Sequence, residues 1–316
     1  MNCPRLDHFV RFNSNGTVSR CGHMVNPMQF ESLIAMDDSI WLHNIKSTMA
    51  KGLWPKECIR CKETENNDNT SIRLNSIEFD NKQTIPDYIT VGGVLDNICN
   101  SGCLSCNENH STKIGSLKFK LYPMIDNTKR FWQLPIERIV HLDINGGEPS
   151  ASKNYKSILQ NLPVNVKSVR INTNCSSVIE EIYSLIDRGI KITITVSLDG
   201  IEDVHDFVRW PIKWDKFYQN LMQYKSIPNI ELNTWTTISS LNLHNFEAIK
   251  QFTIDNNIEH SYAFLHSPEV ISVKYQNNLT LPYKNMFPDV VAIAENNQTL
   301  LDNFIINEKK LRGIIE

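Results

Sequence analysis

From residue 88 onward the chain alternates between two hydrophobic patterns. Short β-rich runs at 88–95 (YITVGGVL), 139–144 (IVHLDI), 166–173 (VKSVRINT), 190–198 (IKITITVSL), 230–237 (IELNTWTT) and 258–265 (IEHSYAFL) predict six strands. Between them, 177–188 (SVIEEIYSLIDR), 217–224 and 246–255 carry apolar residues at helical spacing, the first stopped by Gly189. Strands separated by helices of this length predict βαβ units and a parallel sheet. Six units fall short of the eight that close a full barrel, so the expectation is an α/β chain folded as a partial (β/α)6 barrel. Ligands of such folds sit at the carboxyl ends of the strands.

The first part of the chain reads differently. Phe9–Phe12, the Asn15-Gly16 turn and Thr17–Arg20 form a hairpin signal. The stretch 64–69 (TENNDN) reads as a solvated loop, and 80–87 interrupts any periodic pattern. The expected divisions are a small cysteine-rich module at 1–84, the partial barrel at 85–266 and a helical extension at 267–316 that packs on the barrel or covers its open side.

Composition narrows the chemistry. The 316 residues are 41% hydrophobic and 21% charged, as in an ordinary globular protein. A formal net charge of −3 gives no basic field for nucleic acid. No apolar run approaches the roughly 20 residues of a membrane span, and the first residues carry no apolar signal segment. The expected location is the cytoplasm, where eight cysteines point to metal or redox chemistry rather than disulfides.

Three cysteines follow the first strand of the barrel as Cys99-Asn100-Ser101-Gly102-Cys103-Leu104-Ser105-Cys106. Gaps of three and two residues let one loop wrap three thiolates around a centre. Thiolates are the usual ligands of iron–sulfur clusters, and three of them leave one iron of a four-iron cluster open. A zinc site or reduced structural thiols fit the same three residues. After the second strand comes Gly146-Gly147-Glu148-Pro149: glycines that permit close approach to a ligand, then an acceptor for an ammonium group. Asn172-Thr173-Asn174-Cys175 ends the third strand, and Ser197-Leu198-Asp199-Gly200, followed by His205, Asp206 and Arg209, ends the fourth.

The cysteine spacing resembles the CxxxCxxC signature of the radical S-adenosylmethionine (SAM) superfamily. Gly146 to Pro149 resembles its GGEP motif, Asn172 to Cys175 its TNG turn, and the run from Ser197 to Arg209 the SLDG…HD…R pattern of members that modify peptides and proteins. The resemblance implies a [4Fe-4S] cluster on Cys99, Cys103 and Cys106 whose open iron chelates SAM. It implies SAM contacts from Gly146, Gly147, Glu148, Asn174, Ser197 and Arg209, the last fitting a carboxylate with its guanidinium fork. It also implies an electron donor such as flavodoxin or ferredoxin. Cys175 reads as a small, half-buried residue, with hydrogen-atom donation to a substrate radical as the sharper alternative. His205 reads as structural.

Cys3 and Cys21 flank the hairpin, and Cys58 and Cys61 form a CxxC. The four can close one tetrathiolate site. The layout resembles the SPASM or twitch modules of the same superfamily, here placed before the barrel, which implies a second, auxiliary [4Fe-4S] cluster; a structural zinc site fits the spacing too. The functional expectation is a radical SAM enzyme acting on a peptide or protein side chain. The alternatives are action on a small metabolite or nucleotide, and a non-catalytic zinc-binding interaction protein.

Overall fold

The computed structural model describes residues 1–119, 122, 124–273 and 298–315. Eight strands form one sheet in the order β2-β1-β3-β4-β5-β6-β7-β8. They are β1 (Phe9–Phe12), β2 (Val18–Ser19), β3 (Ile89–Val94), β4 (Ile139–Asn145), β5 (Ser168–Thr173), β6 (Lys191–Ser197), β7 (Ile230–Ile238) and β8 (Glu259–Phe264). Among the described strands, β1 and β2 pair antiparallel as a hairpin and the other neighbours pair parallel. The six expected strands are β3 to β8, and the helices between them include Glu181–Asp187, Trp214–Ser226 and Phe246–Asp255 at the expected places.

Alternation along the strands explains the layers. On β4, Leu142 and Ile144 point to one face; on β6, Ile192, Ile194 and Val196 do so. These residues join Ile158, Leu185, Phe217 and Ile249 of the covering helices in one apolar core. The other face is polar. Thr90, Asp143, Arg170, Thr193, Glu231 and Ser261, one from each of β3 to β8, line a single cavity of about 590 Å³. A sheet whose six strands all reach one cavity is curved around it, as a partial barrel requires. No helix among the described residues is long and apolar enough to cross a membrane.

The stretch 64–69 departs from expectation, and the segment 1–84 shares the barrel's sheet. The segment 1–84 is joined to the barrel through the sheet: β1 pairs with β3 from Phe9↔Thr90 to Phe12↔Gly93, and Val10 and Phe12 belong to the common core. The stretch 64–69 is not a loop but the end of the helix Ile59–Asp68, closed by Asn69 in the left-handed conformation. Its polar sequence hid a helix held by tertiary contacts, since Arg73 bonds both carboxylate oxygens of Glu65 at 2.9 and 2.6 Å. The extension contributes the helix Gln298–Leu311, while 274–297 lies outside the described residues.

Candidate functional site

The three-cysteine loop leaves β3 and is fixed before any ligand is considered. Asp96 is fully buried; its Oδ1 accepts from Ile98 N at 3.0 Å and its Oδ2 from Ser152 Oγ at 2.5 Å. Thr112 closes the loop from its far end, its hydroxyl bonding both the N–H and the carbonyl of Cys99 at 3.1 Å. Ser111 Oγ donates to Ser101 O at 2.6 Å. The N–H of Ser101 points at Cys99 Sγ at 3.4 Å, the sense of donation that stabilises a ligating thiolate.

The turns after β4 and β5 clasp this loop. Glu148 N donates to Ile98 O at 2.7 Å. The Glu148 side chain is buried and accepts four hydrogen bonds: Ser150 N, Ser150 Oγ and Thr173 Oγ1 at Oε1, and Asn174 N at Oε2. Three of the four crowd Oε1, and Oε2 takes one and keeps an accepting site. Glu148 is thus a clasp between the two turns. Burial pushes its carboxyl above the ordinary range although the four donors oppose it. Asn174 carries the clasp on: its Nδ2 donates to Asn100 Oδ1 and Ser101 Oγ, both at 2.9 Å.

Gly146 and Gly147 both have positive φ, +82° and +63°. A Cβ on Gly147 would lie 2.8 Å from Ile98 O and 2.9 Å from Asp96 O. Its smallness therefore serves the seating of the turn on the cysteine loop. Ser197 ends β6 half-buried. Arg209 is buried with its Nη1 on Asp199 Oδ2 at 2.5 Å and its Nε without a partner among the described residues. Burial works against its charge, but Cys103 and Asp199 hold its pKa above the ordinary value.

Cys99, Cys103 and Cys106 feel one another. Burial pushes Cys99 and Cys106 up to about 12, and the charge of Cys103 adds to each. Burial raises Cys103 too, opposed by Arg209 and Arg312. Without a metal the loop gathers three thiols that resist ionising together. Among the described residues, no three His, Cys, Asp or Glu side chains are arranged to hold a metal ion. Thiolates on one zinc stand about 4 Å apart, given bonds of about 2.3 Å at tetrahedral angles; around a cubane each takes its own iron and they stand wider. The all-thiol donor set, with the partly unused Arg209 beside it, suits an iron–sulfur centre.

Cys3, Cys21, Cys58 and Cys61 converge on one small, apolar-lined cavity despite their separation in sequence. Burial pushes Cys3 up to about 11 and Cys58 up to about 12, with charges of the other thiols adding to both. Arg5 and Ile72 line both this cavity and the cavity enclosed by the barrel, so the two share a wall.

Cys175 is fully buried, not half-buried, with φ +61° and its Sγ 3.8 Å from Phe217 O. His205 is buried against Trp214 and Phe217, as a structural residue should be. The sequence reading missed Asp96, Asn100, Ser101, Thr112 and Arg312. Asp96 carried a signal, an acid directly after a buried strand; Arg312 carried none.

No family model matches the chain, and no curated protein matches it. Among solved structures it is similar to native anSMEcpe with bound AdoMet, at 16% identity over 65% of this chain and 62% of that one, with a TM-score of 0.44. The chain thus spans less than two thirds of that protein. It is also similar to Streptococcus suis SuiB bound to S-adenosylmethionine, at 14% identity over 89% and 69% of the two chains and a TM-score of 0.42. For SuiB bound to precursor peptide SuiA the values are 15%, 94%, 72% and 0.41. Likenesses this distant carry no function across.

Proposed function

We propose that this chain is a radical SAM enzyme whose cluster-binding loop is Cys99–Cys106. The observation that supports it most is the convergence of four motifs at the carboxyl ends of consecutive strands. The cysteine loop follows β3, Gly146–Glu148 follows β4, Asn174 follows β5 and Arg209 lies beyond β6, with Glu148 and Asn174 tying the first three together. In this reading Cys99, Cys103 and Cys106 hold a [4Fe-4S] cluster. When bound, that cluster supplies the electron that cleaves SAM to methionine and a 5′-deoxyadenosyl radical, which takes a hydrogen atom from substrate.

The residues have distinct tasks. Asn174 and Glu148 hold the loop still. Arg209 keeps unused donors for the SAM carboxylate or the cluster's negative charge. Asn172, on the same face of β5 as the cavity-lining Arg170, has a buried Oδ1 with no partner among the described residues, an acceptor suited to a ribose hydroxyl. The cavity of about 590 Å³ is a separate feature: it opens toward the amino-terminal ends of the strands and none of the proposed cluster or SAM residues lines it. The SLDG…HD…R run favours a peptide over a metabolite. Cys3, Cys21, Cys58 and Cys61 form the auxiliary centre, and a small electron-carrier protein reduces the barrel cluster.

The test is anaerobic reconstitution with iron and sulfide. With dithionite and SAM, the protein should release 5′-deoxyadenosine, and Cys99→Ala, Cys103→Ala and Cys106→Ala should abolish that release. A protein that takes up zinc alone, or a triple variant that still cleaves SAM, defeats the reading.

A further inference from the structure

The segment with the weakest sequence signal ends on the cysteine loop. Two backbone bonds already join that loop to the end of the helix Asp203–Val208 and the turn after it: Leu104 N to Val208 O at 2.9 Å and Gly102 N to Trp210 O at 2.7 Å. Arg312, just past the helix Gln298–Leu311, adds a third connection. Its Nη2 donates to Gly102 O at 2.6 Å and its Nη1 to Phe207 O at 2.9 Å. The Arg312 side chain is 1% exposed, with Glu308 at 3.2 Å one helical turn earlier. The same helix seats Leu301 against Leu104, the residue directly after Cys103, within one apolar cluster.

We infer that Arg312 is a positioning residue for the three-cysteine loop, bracketing Gly102 to Phe207 and setting a fixed positive charge beside Cys103. This rests on the reading of that loop as the holder of an iron–sulfur cluster. A guanidinium is costly to bury unless charge and acceptors compensate it. Arg312 finds two loop carbonyls and one carboxylate, and it faces the planes of Trp210 and Phe207 at 5.7 and 6.0 Å. Its fork spans two segments at once, which a lysine's single ammonium does less well. A loop carrying three ionised thiolates explains a second buried cation besides Arg209. Positive charge near a cluster favours its reduced form, so Arg312 raises the reduction potential.

The test compares Arg312→Gln and Arg312→Lys in the full-length chain. In the metal-free protein, Arg312→Gln should speed amide hydrogen exchange at Gly102 and Leu104 by about tenfold or more, as loss of charged hydrogen bonds predicts. In the reconstituted protein, a potentiometric titration followed by electron paramagnetic resonance should show a more negative midpoint for the SAM-sensitive signal in Arg312→Gln. Arg312→Lys, which keeps the charge, should stay near the wild-type midpoint while its exchange rates rise part of the way. Wild-type exchange rates in Arg312→Gln overturn the bracket, and a wild-type midpoint overturns the charge effect. If wild type shows no cluster that depends on Cys99, Cys103 and Cys106, the functional reading fails and the exchange measurement still decides the bracket. A global unfolding of Arg312→Gln, seen as exchange rising everywhere, moves the decision to Arg312→Lys: unchanged rates there at Gly102 and Leu104 overturn it.

Discussion

The backbone N–H of Asn174 lies 2.6 Å from Oε2 of Glu148, so the turn after β5 is tied directly to the turn after β4. Because the Asn174 amide also grips Asn100 and Ser101, one short chain of hydrogen bonds runs from Glu148 to the cysteine loop. Buried networks of this kind are stable only when every member is satisfied.

Glu148→Gln therefore should act through structure. An amide has one accepting oxygen, and its NH2 would face one of the four donors now served by the carboxylate. An unsatisfied buried donor costs about 1–3 kcal/mol. The expected result is a lower melting temperature together with weaker SAM binding, measured by calorimetry on one preparation. Weaker SAM binding at unchanged stability would make Glu148 a direct ligand contact instead.

Two glycines separate backbone strain from loop seating. Gly147 and Gly189 both have positive φ, +63° and +71°, but a Cβ on Gly189 meets nothing within 4 Å. Gly189→Ala should cost only the strain of a left-handed residue, about 1–2 kcal/mol. Gly147→Ala adds a clash with Ile98 O and Asp96 O, so its melting temperature should fall further and its iron uptake should drop. Equal losses in the two variants would show that Gly147 has no role in seating the cysteine loop.

His205 gives the fold a pH dependence. Burial, then the charge of Arg209, holds its pKa down to about 3, against the opposing charge of Asp206. Its packing partners Trp214 and Phe217 carry no charge at this pH. Between that value and about 6.5 the unfolded chain binds a proton that the folded chain refuses. Stability from this group is complete above about pH 6.5 and is lost as pH falls, by up to about 1.4 kcal/mol per pH unit. His205→Phe should flatten the acid side of a stability-against-pH curve by that one proton. Other buried histidines, His141 among them, keep part of the slope. An unchanged curve in the variant would place a protonated ring in the native state.

Much of this was legible in the sequence, for identifiable reasons. The strands β3 to β6 announced themselves because each buries a continuous or alternating apolar face, and Phe246–Asp255 because its apolar residues recur at helical spacing. The cysteine loop and Gly146–Pro149 were legible because few residue combinations serve that chemistry. The helix Ile59–Asp68 was not, since it buries no residue and owes its place to the Glu65–Arg73 pair. Nor was the clasp that Glu148 makes, because a motif states which residue stands in a turn and not which donors reach it. Arg312 was invisible for the same reason: its partners, Gly102 and Phe207, lie 210 and 105 residues away.

The four N-terminal cysteines support the last prediction. Cys3, Cys21, Cys58 and Cys61 line one cavity together, and they come from the first residues, the hairpin and the entry to the helix Ile59–Asp68. Thiols with no ligand to hold gain nothing from such convergence, since each raises the cost of ionising the next. A centre with four protein thiolates leaves no iron open, so it serves electron transfer or bracing and not SAM. Arg5 and Ile72 stand between it and the barrel cavity. The expected outcome has two parts. A variant lacking Cys99, Cys103 and Cys106 should keep iron, sulfide and a paramagnetic signal on reduction, with no response to SAM. A variant with Cys58→Ala and Cys61→Ala should keep SAM binding and lose turnover. Stoichiometric zinc with no signal in the first variant would make the centre a structural brace, and the second variant should then lose folded structure around Cys3 and Cys21 with no change in redox behaviour.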